Sequence, residues 1–292
     1  MKIFVYGQRV KTKDLDFITT AINEIKAHQI ECFVAKSYDD QLPEYLKFEK
    51  NCVLKESEDL DKVNPDFVLT LGGDGTILSA VTFLQRRAIP ILGINLGRLG
   101  FLAMVEKTLI KDALDKLILG DYHVEERSML ELKSNIPIFK EYPYALNDLT
   151  LHKRDTSSMI KINSWIDGKF LKTYWADGII LATPTGSTGY SLSCGGPIIF
   201  PKANTFVITA VAPHNLNSRP LIIPDSSEIK LTLEGRSDSF LCTLDSRYQA
   251  ISSEHELVIR KAPNTTKVVQ LKGDDFMKTL HDKMMWGVDN RN

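Results

Sequence analysis

Short apolar runs alternate with stretches of helical periodicity through the first part of the chain. KIFVYG, ECFVAK, DFVLTL and IPILGIN, ending near residues 7, 36, 71 and 95, each predict a strand. Between and after them apolar residues recur at helical spacing: Leu15, Ile18, Ile22 and Ile25; then Ile77, Leu78, Val81 and Leu84; then Leu109, Ala113, Leu114 and Leu117. Each set places one apolar stripe on a helix. Strands alternating with helices imply βαβ units and a mostly parallel sheet.

From about Val124 the rhythm changes to short strands closed by turns. MIKINSWI and KFLKTYW are separated by Asp167-Gly168, a strong signal for a two-residue hairpin. GIILAT, TFVITAVA, EIKLTLEG, FLCTLD, HELVIRK and KVVQLKG follow as further strand-like runs. Regular short strands with turns between them suggest a sandwich or barrel-like β domain. The tail DDFMKTLHDKMMWG predicts a helix with Phe276, Leu280 and Met284 along one side. The expected architecture is an α/β domain with a mostly parallel sheet over residues 1–123 and an all-β, sandwich-like domain over 124–272. A helical tail over 273–292 is expected to return to the first domain.

Composition narrows the class. A formal net charge of -1 over 292 residues argues against a general nucleic-acid binder, which needs excess Lys and Arg for phosphates. Cys32, Cys52, Cys194 and Cys242 form no CxxC or CxxH pair, so neither a zinc site nor a disulfide framework is expected. MKIFVYGQRV is too short an apolar run for a signal peptide, and no 18-residue apolar run suggests a membrane span. A cytoplasmic protein with reduced thiols is the expectation.

Two stretches are costly enough to need a reason. TLGGDGTILSA, residues 70–80, places Gly72, Gly73 and Gly75 around Asp74, between a predicted strand and a predicted helix. Ligands bind at the carboxyl edge of open α/β sheets. A helix N-terminus there offers free N–H groups and partial positive charge to phosphate. The alternative is a tight turn in which Asp74 caps the helix. The GxGxxG fingerprint is not met, since Leu78 takes the third glycine position and Gly93-Gly97-Gly100 has another spacing; no GxxxxGK[ST] loop occurs.

ADGIILATPTGSTGYSLSCGGPI, residues 176–198, runs a strand into a loop crowded with hydroxyls from Thr183 to Ser193, with Tyr190 among them and Gly195-Gly196-Pro197 after them. Such a loop suits ribose and phosphate, and Tyr190 could stack on a base; a Ser/Thr-rich surface loop is the alternative. Asn147-Asp148 offers an amide and a carboxylate to a vicinal diol, or forms a turn. Asp177-Gly178 is a turn or a ligand contact. His214 reads as a loop residue, and Trp165, Trp175 and Trp286 read as packing aromatics.

Taken together, GGDGT at 72–76, Asn147-Asp148, Asp177-Gly178, TPTGSTGYSLS at 183–193, GGP at 195–197 and PHNLNSRP at 213–220 resemble the NAD kinase family in order and spacing. The resemblance implies transfer of the γ-phosphoryl group of ATP, with Mg²⁺, to the 2′-hydroxyl of the adenosine ribose of NAD, in a homodimer or homotetramer. It implies that Gly72, Gly73, Gly75 and Thr76 serve the ATP phosphates. Asp74 is implied as the proton acceptor and, with Gly75, as a neighbour of the dinucleotide. Asn147 and Asp148 would hold its ribose, and Asp177 would lie near the nicotinamide. Thr188, Gly189, Tyr190 and Ser193 would surround the adenosine, with Ala212 lining the same pocket. Ser158, Trp175 and Arg247 occupy further dinucleotide positions. Trp175 stands where many bacterial relatives have Arg or Gly, a position linked to the choice between oxidised and reduced dinucleotide. Two other readings share parts of this pattern: a GGDG-type lipid kinase, and a non-catalytic NAD(P) sensor.

Overall fold

A computed structural model describes residues 1–154, 158–235, 238–273 and 275–285. The chain divides into two compact units, residues 1–126 with 267–292, and residues 127–266.

The first unit is built on an eight-stranded sheet. Its strands are β1 (Lys2–Tyr6), β2 (Glu31–Ala35), β3 (Val53–Leu54), β4 (Phe67–Leu71), β5 (Ile91–Asn95), β6 (Val105–Glu106), β7 (Tyr122–Arg127) and, far along the chain, the twentieth strand β20 (Thr266–Leu271). The order is β3-β2-β1-β4-β5-β20-β7, with β6 paired to β5. β1 through β6 and the β5–β20 pair run parallel. All five residues of β4 and of β5 are buried, as central strands covered on both faces require.

The helices are α1 (Leu15–Ala27), the short α2 (Lys36–Asp39) and α3 (Asp59–Val63), α4 (Asp74–Leu84) and α5 (Ile110–Leu119). Ile18, Ile22 and Ile25 of α1 are buried, and so are Ile77, Val81 and Leu84 of α4. In α5 the stripe begins one residue later than the spacing predicts: Ile110 is buried, whereas Leu109 precedes the helix and is exposed.

The second unit stacks two antiparallel six-stranded sheets. One contains β8 (Leu130–Ser134), β9 (Tyr144–Ala145), β11 (Ile160–Ile166), β12 (Lys169–Ala176), β16 (Ile229–Glu234) and β19 (Leu257–Lys261). The other contains β10 (Asp148–Lys153), β13 (Gly178–Ala182), β14 (Thr205–Val211), β15 (Leu221–Pro224), β17 (Phe240–Leu244) and β18 (Arg247–Ile251). Leu132, Ile162, Leu231 and Ile259 of the first sheet share one core with Leu149, Leu181, Phe206 and Cys242 of the second. Asp167 and Gly168 both have positive φ, 49° and 75°, and join β11 to β12 as the sequence predicts. A short helix, α6 (Tyr190–Ser193), lies in the TPTGST loop.

KVVQLKG departs from the sequence analysis. It reads as one more strand of the β-rich region, yet β20 adds to the parallel sheet beside β5, with Val268 opposite Ile91. Val268, Val269 and Leu271 are all buried. Consecutive burial from Val268 to Leu271 suits a sheet covered on both faces better than an alternating sandwich strand. The last helix, α7 (Phe276–Met284), follows it into the first unit, where Phe276 meets Phe101 at 6.1 Å between ring centroids. Trp286 lies outside the described residues.

Candidate functional site

β4 ends at Leu71 and α4 begins at Asp74, with Gly73 as the residue before the helix. Gly73 has φ −100° and ψ −168°, extended backbone open to any residue. The glycines therefore serve space rather than backbone angle. A β-carbon on Gly72 would lie 2.7 Å from Cβ of Thr76, while on Gly73 or Gly75 it would meet nothing within 4 Å. The N–H groups of Gly73, Asp74 and Gly75 have no acceptor among the described residues. They are the orphan donors of a helix start.

Gly72, Gly73 and Thr76 line a cavity of about 270 Å³ together with Arg9, Lys11, Lys13 and Arg98. These four cations are exposed, and none forms an ion pair among the described residues. Unpaired cations beside free N–H groups make an anion site. Sequence analysis missed all four cations. For Arg9, Lys11 and Lys13 the signal was QRVKTK, three basic residues in five positions after the first strand, at the sheet edge where ligands bind; Arg98 carried none.

Asp74 does not cap α4; it is the first helical residue and its carboxylate reaches a different segment. Oδ2 accepts the N–H of Phe101 at 2.8 Å, and Oδ1 accepts those of Leu102 at 3.0 Å and Ala103 at 2.9 Å. Of the four lone-pair positions on a carboxylate, three are used, leaving one on Oδ2. Asn95 shapes the same loop: its Nδ2 donates to the carbonyl of Arg98 at 2.6 Å, and its Oδ1 accepts the N–H of Gly97 at 2.7 Å.

In the second unit, Asn147 and Asp148 sit at the start of β10, held by Asp245. Asp245 Oδ2 accepts the N–H of Leu146 at 2.9 Å, and Oδ1 accepts those of Asn147 at 2.7 Å and Asp148 at 3.2 Å. Asp148 is 8% exposed, and its pKa is raised to about 7 by burial first and by the Asp245 charge second. Burial also raises Asp245, against the pull of the three N–H donors. Asn147 Oδ1 is buried without a hydrogen-bond partner. Gly189 packs against this pair; a β-carbon there would lie 3.7 Å from Asn147 Nδ2 and 4.0 Å from Asp148 Oδ2. Sequence analysis missed Asp245; a lone acid in a strand-rich run carries no motif of its own.

The hydroxyl-rich loop sorts into two sets. Thr183, Thr185, Ser187 and Ser191 are buried. Thr183 Oγ1 donates to the carbonyl of Leu146 at 2.6 Å, Ser187 Oγ to that of Pro184 at 2.7 Å, and Ser191 Oγ pairs with Thr209 Oγ1 at 2.8 Å. The hydroxyls of Thr183, Ser187 and Ser191 thus fold the loop and are not available to ribose or phosphate. Thr188 and Gly189 are half-buried, while Tyr190 and Ser193 are exposed. The Tyr190 ring stacks on His152 with centroids 5.6 Å apart and planes 24° apart.

Asp177 pairs with Lys153 at 2.6 Å. Burial lowers the His152 pKa, against the raising effect of Asp177. Trp175 is not a packing aromatic: it is 51% exposed, with Lys161 Nζ 4.8 Å from its ring. It lines a cavity of about 600 Å³ with His214, and its carbonyl accepts the His214 N–H at 2.9 Å. Ala212, at φ 44°, follows Val211, whose carbonyl accepts the N–H of Asp177 at 3.0 Å. Ser158 lies on a bend just before β11, whose Ile160 pairs with Ala176. Arg247 is turned to structural work: its guanidinium donates to the carbonyls of Tyr142 and Tyr144 and lies 5.2 Å from the Tyr142 ring. Asp148, Gly189, Tyr190 and Asp177 are thus neighbours, and Arg247 acts on Asp245 beside them.

A cation-lined anion cavity in a parallel α/β unit, with a β sandwich that presents an amide, carboxylates and an open aromatic ring, defines a two-domain protein that handles phosphate and nucleotides. The model of the ATP-NAD kinase N-terminal domain matches residues 15–122, and that of the ATP-NAD kinase C-terminal domain matches residues 146–271. The chain belongs to the ATP-NAD kinase family. A NAD kinase of Cytophaga hutchinsonii is 41% identical over 288 residues, covering 99% of each chain, and one of Bacteroides fragilis is 42% identical over 291 residues, covering 100% of each. Among solved structures, yeast NADH kinase complexed with NADH superimposes with a TM-score of 0.86 at 26% identity, covering 100% of this chain and 89% of the other. A NAD kinase from Archaeoglobus fulgidus in complex with ATP gives 0.76 at 25% identity, covering 98% and 99%.

Proposed function

We propose that this chain transfers the γ-phosphoryl group of ATP to the 2′-hydroxyl of the adenosine ribose of NAD, releasing NADP and ADP. The observation that carries the reading is the cavity beside Gly72 and Gly73, where four cations without ion pairs adjoin three unclaimed N–H groups. A triphosphate supplies the acceptors they lack. Bacterial relatives that match the chain end to end are NAD kinases, and a similar solved NAD kinase holds ATP.

In the reaction the ribose oxygen forms a bond to the γ-phosphorus while the bond from that phosphorus to the β-bridging oxygen breaks. The hydroxyl proton passes to the open lone pair on Asp74 Oδ2. Asp74 orients the hydroxyl first and accepts its proton as bonding to phosphorus develops, a contribution of roughly 10²–10⁴-fold for a positioned base. Charge neutralisation carries the larger share in such loose transition states. Arg9, Lys11, Lys13 and Arg98 with the helix-start amides supply it from the protein, and a divalent cation bound with the phosphates would add to it. In the second unit Asn147 and Asp148 bind the ribose. Thr188, Gly189, Tyr190 and Ser193 accept the adenosine, while Asp177, Trp175, Ala212 and Ser158 border the remainder. Arg247 acts by steadying Asp245 and the residues before Asn147.

The same reading includes a homodimer or homotetramer and a cytoplasmic setting; Cys32, Cys52, Cys194 and Cys242 are all unpaired thiols, which suits a reducing compartment. No described helix is long and apolar enough to cross a membrane. The deciding experiment incubates the full chain with ATP, Mg²⁺ and NAD and follows NADP with an NADP-specific dehydrogenase. Steady NADP formation is expected; its absence, with the chain folded, overturns the reading. Parallel arms with NADH for NAD and polyphosphate for ATP define acceptor and donor.

A further inference from the structure

The basic cavity of the first unit also contains one acid. Asp14 lines it and is only 4% exposed, whereas Arg9, Lys11, Lys13 and Arg98 around it are exposed. Asp14 ends a 3-10 turn, Thr12–Asp14, that runs directly into α1, and its side chain bonds to no helix N–H. Its Oδ1 is buried without any hydrogen-bond partner, and none of the cavity's cations pairs with it. Nearby, the Tyr38 hydroxyl is also buried and without a partner, its pKa raised by burial and then by the Asp14 charge. The Tyr38 ring is wedged against Gly7, where a β-carbon would lie 2.7 Å from Cζ, so this wall has little room to relax.

A buried carboxylate without a donor is costly, and proteins compensate by pairing it or by letting it coordinate a metal. Asp39 in the same unit shows the first solution: it is 7% exposed, and its Oδ1 accepts the Phe48 N–H at 3.0 Å. Asp14 has no such compensation among the described residues. Mg²⁺ keeps several of its waters and is held by one or two carboxylates plus substrate phosphates. A single orphan carboxylate beside a phosphate cradle has that form.

We propose that Asp14 is this chain's own ligand, directly or through a metal-bound water, for the divalent cation that accompanies a nucleoside triphosphate in the cavity. The proposal rests on the reading of this cavity as the triphosphate site. It divides the labour among the charges: the four cations take phosphate oxygens, and the lone acid takes the metal. The division has an unusual sign. Asp14 repels a metal-free triphosphate and favours the metal complex, so its removal should affect the two oppositely.

The test uses the full chain as wild type and as Asp14→Asn, with melting temperatures confirming that both fold. Mn²⁺ affinity is measured by electron paramagnetic resonance in the presence of a non-hydrolysable β,γ-imido ATP analogue. Calorimetry gives the affinity for the same analogue in EDTA. The Asn variant should lose about tenfold or more in Mn²⁺ affinity, the scale of removing an ordering partner from a metal site, while metal-free analogue binds as tightly or more tightly. Equal weakening of both would make Asp14 a wall residue only, and unchanged Mn²⁺ affinity would exclude it as a ligand; either overturns the proposal. Should the variant fail to fold, wild type loaded with Fe²⁺, analogue, ascorbate and peroxide should be cleaved in the backbone around residue 14, and no scission there overturns the proposal equally. Wild type that binds no analogue at all would instead remove the triphosphate reading beneath it.

Discussion

The backbone at Gly100 runs so close to the Asp74 carboxylate that a β-carbon there would collide with Oδ1 and lie 2.6 Å from Cγ. The carboxylate in turn accepts the N–H groups of the next three residues, Phe101, Leu102 and Ala103. Glycine and acid fix each other, because the loop can wrap the carboxylate only where no side chain intervenes. A methyl group at 100 must displace either the loop or the acid.

Gly100→Ala is therefore expected to fold and to lose turnover, by about 10²-fold if the carboxylate moves on the order of 1 Å. KM for the dinucleotide should change far less, since no sandwich residue is touched, and KM for ATP should move only as far as Arg98, on the same loop, is displaced with it. Steady-state kinetics with both substrates varied check this. A fall in affinity with turnover preserved would show that Asp74 tolerates displacement and is not the proton acceptor.

Asp74→Asn probes the same carboxylate from the other side. The amide keeps one acceptor oxygen and turns the other into a donor facing backbone N–H groups, so both the loop and the base are impaired. Turnover should fall about 10²–10⁴-fold, with a lower melting temperature, because a hydrogen bond to a charged group is worth about 1.5–3 kcal/mol. Single-turnover assays alongside thermal melts separate the two losses. Near wild-type turnover would end the role given to Asp74.

Much of this was legible along the chain, and the reasons for the gaps are physical. The parallel sheet was readable because β4 and β5 are unbroken apolar runs between helical stripes, and the hairpin because Asp167-Gly168 accepts positive φ. The sheet that receives β20 was not readable, since an apolar strand carries no mark of its partner. The glycines at 72, 73 and 75 suggested an anion site, but the cations beside Gly72 and Gly73 come from the segment after β1 and from the loop after β5. Sheet order, not sequence, makes them neighbours. Gly100 is visible in the chain only as a glycine at the wrong spacing for a fingerprint; its meaning depends on an acid 26 positions earlier. In the loop at 183–193, composition could not separate the hydroxyls of Thr183, Ser187 and Ser191, which fold it, from those that face outward.

Asp148 is expected to make both stability and dinucleotide binding depend on pH. Its native pKa stands at about 7, against an ordinary value of 3.8, because of burial and then the Asp245 charge. The folded chain thus binds a proton that the unfolded chain has lost, and stability contributed by this group falls as pH rises through that interval. A carboxylate that accepts hydrogen bonds from a diol does so when ionised, so dinucleotide affinity should rise as pH rises through about 7. Calorimetric titrations with NAD at about pH 6 and about pH 8, and denaturant melts from about pH 5 to about pH 8, measure the two effects. Asp148→Asn should flatten both. An affinity profile equally steep in that variant would place the titration elsewhere.

Tyr190 separates ligand binding from packing. Its ring is 42% exposed while stacked on His152, so removing it sacrifices little buried surface. Stacking of a base on an aromatic ring is worth about 1–3 kcal/mol by alanine substitution, and Tyr190→Ala should weaken dinucleotide binding by about tenfold or more while leaving KM for ATP in place. Tyr190→Phe keeps the stacking face and should keep most of the affinity. Tyr144, 2% exposed and edge-on to Tyr142 at 5.2 Å, is the control: truncating it to Ala should cost stability on the scale of about 3–5 kcal/mol for a buried aromatic. Calorimetric binding and thermal melts on the three variants decide the matter. If Tyr190→Ala lost stability as Tyr144→Ala does, the ring would belong to the fold, and the adenosine would have to be held by Thr188, Gly189 and Ser193 without it.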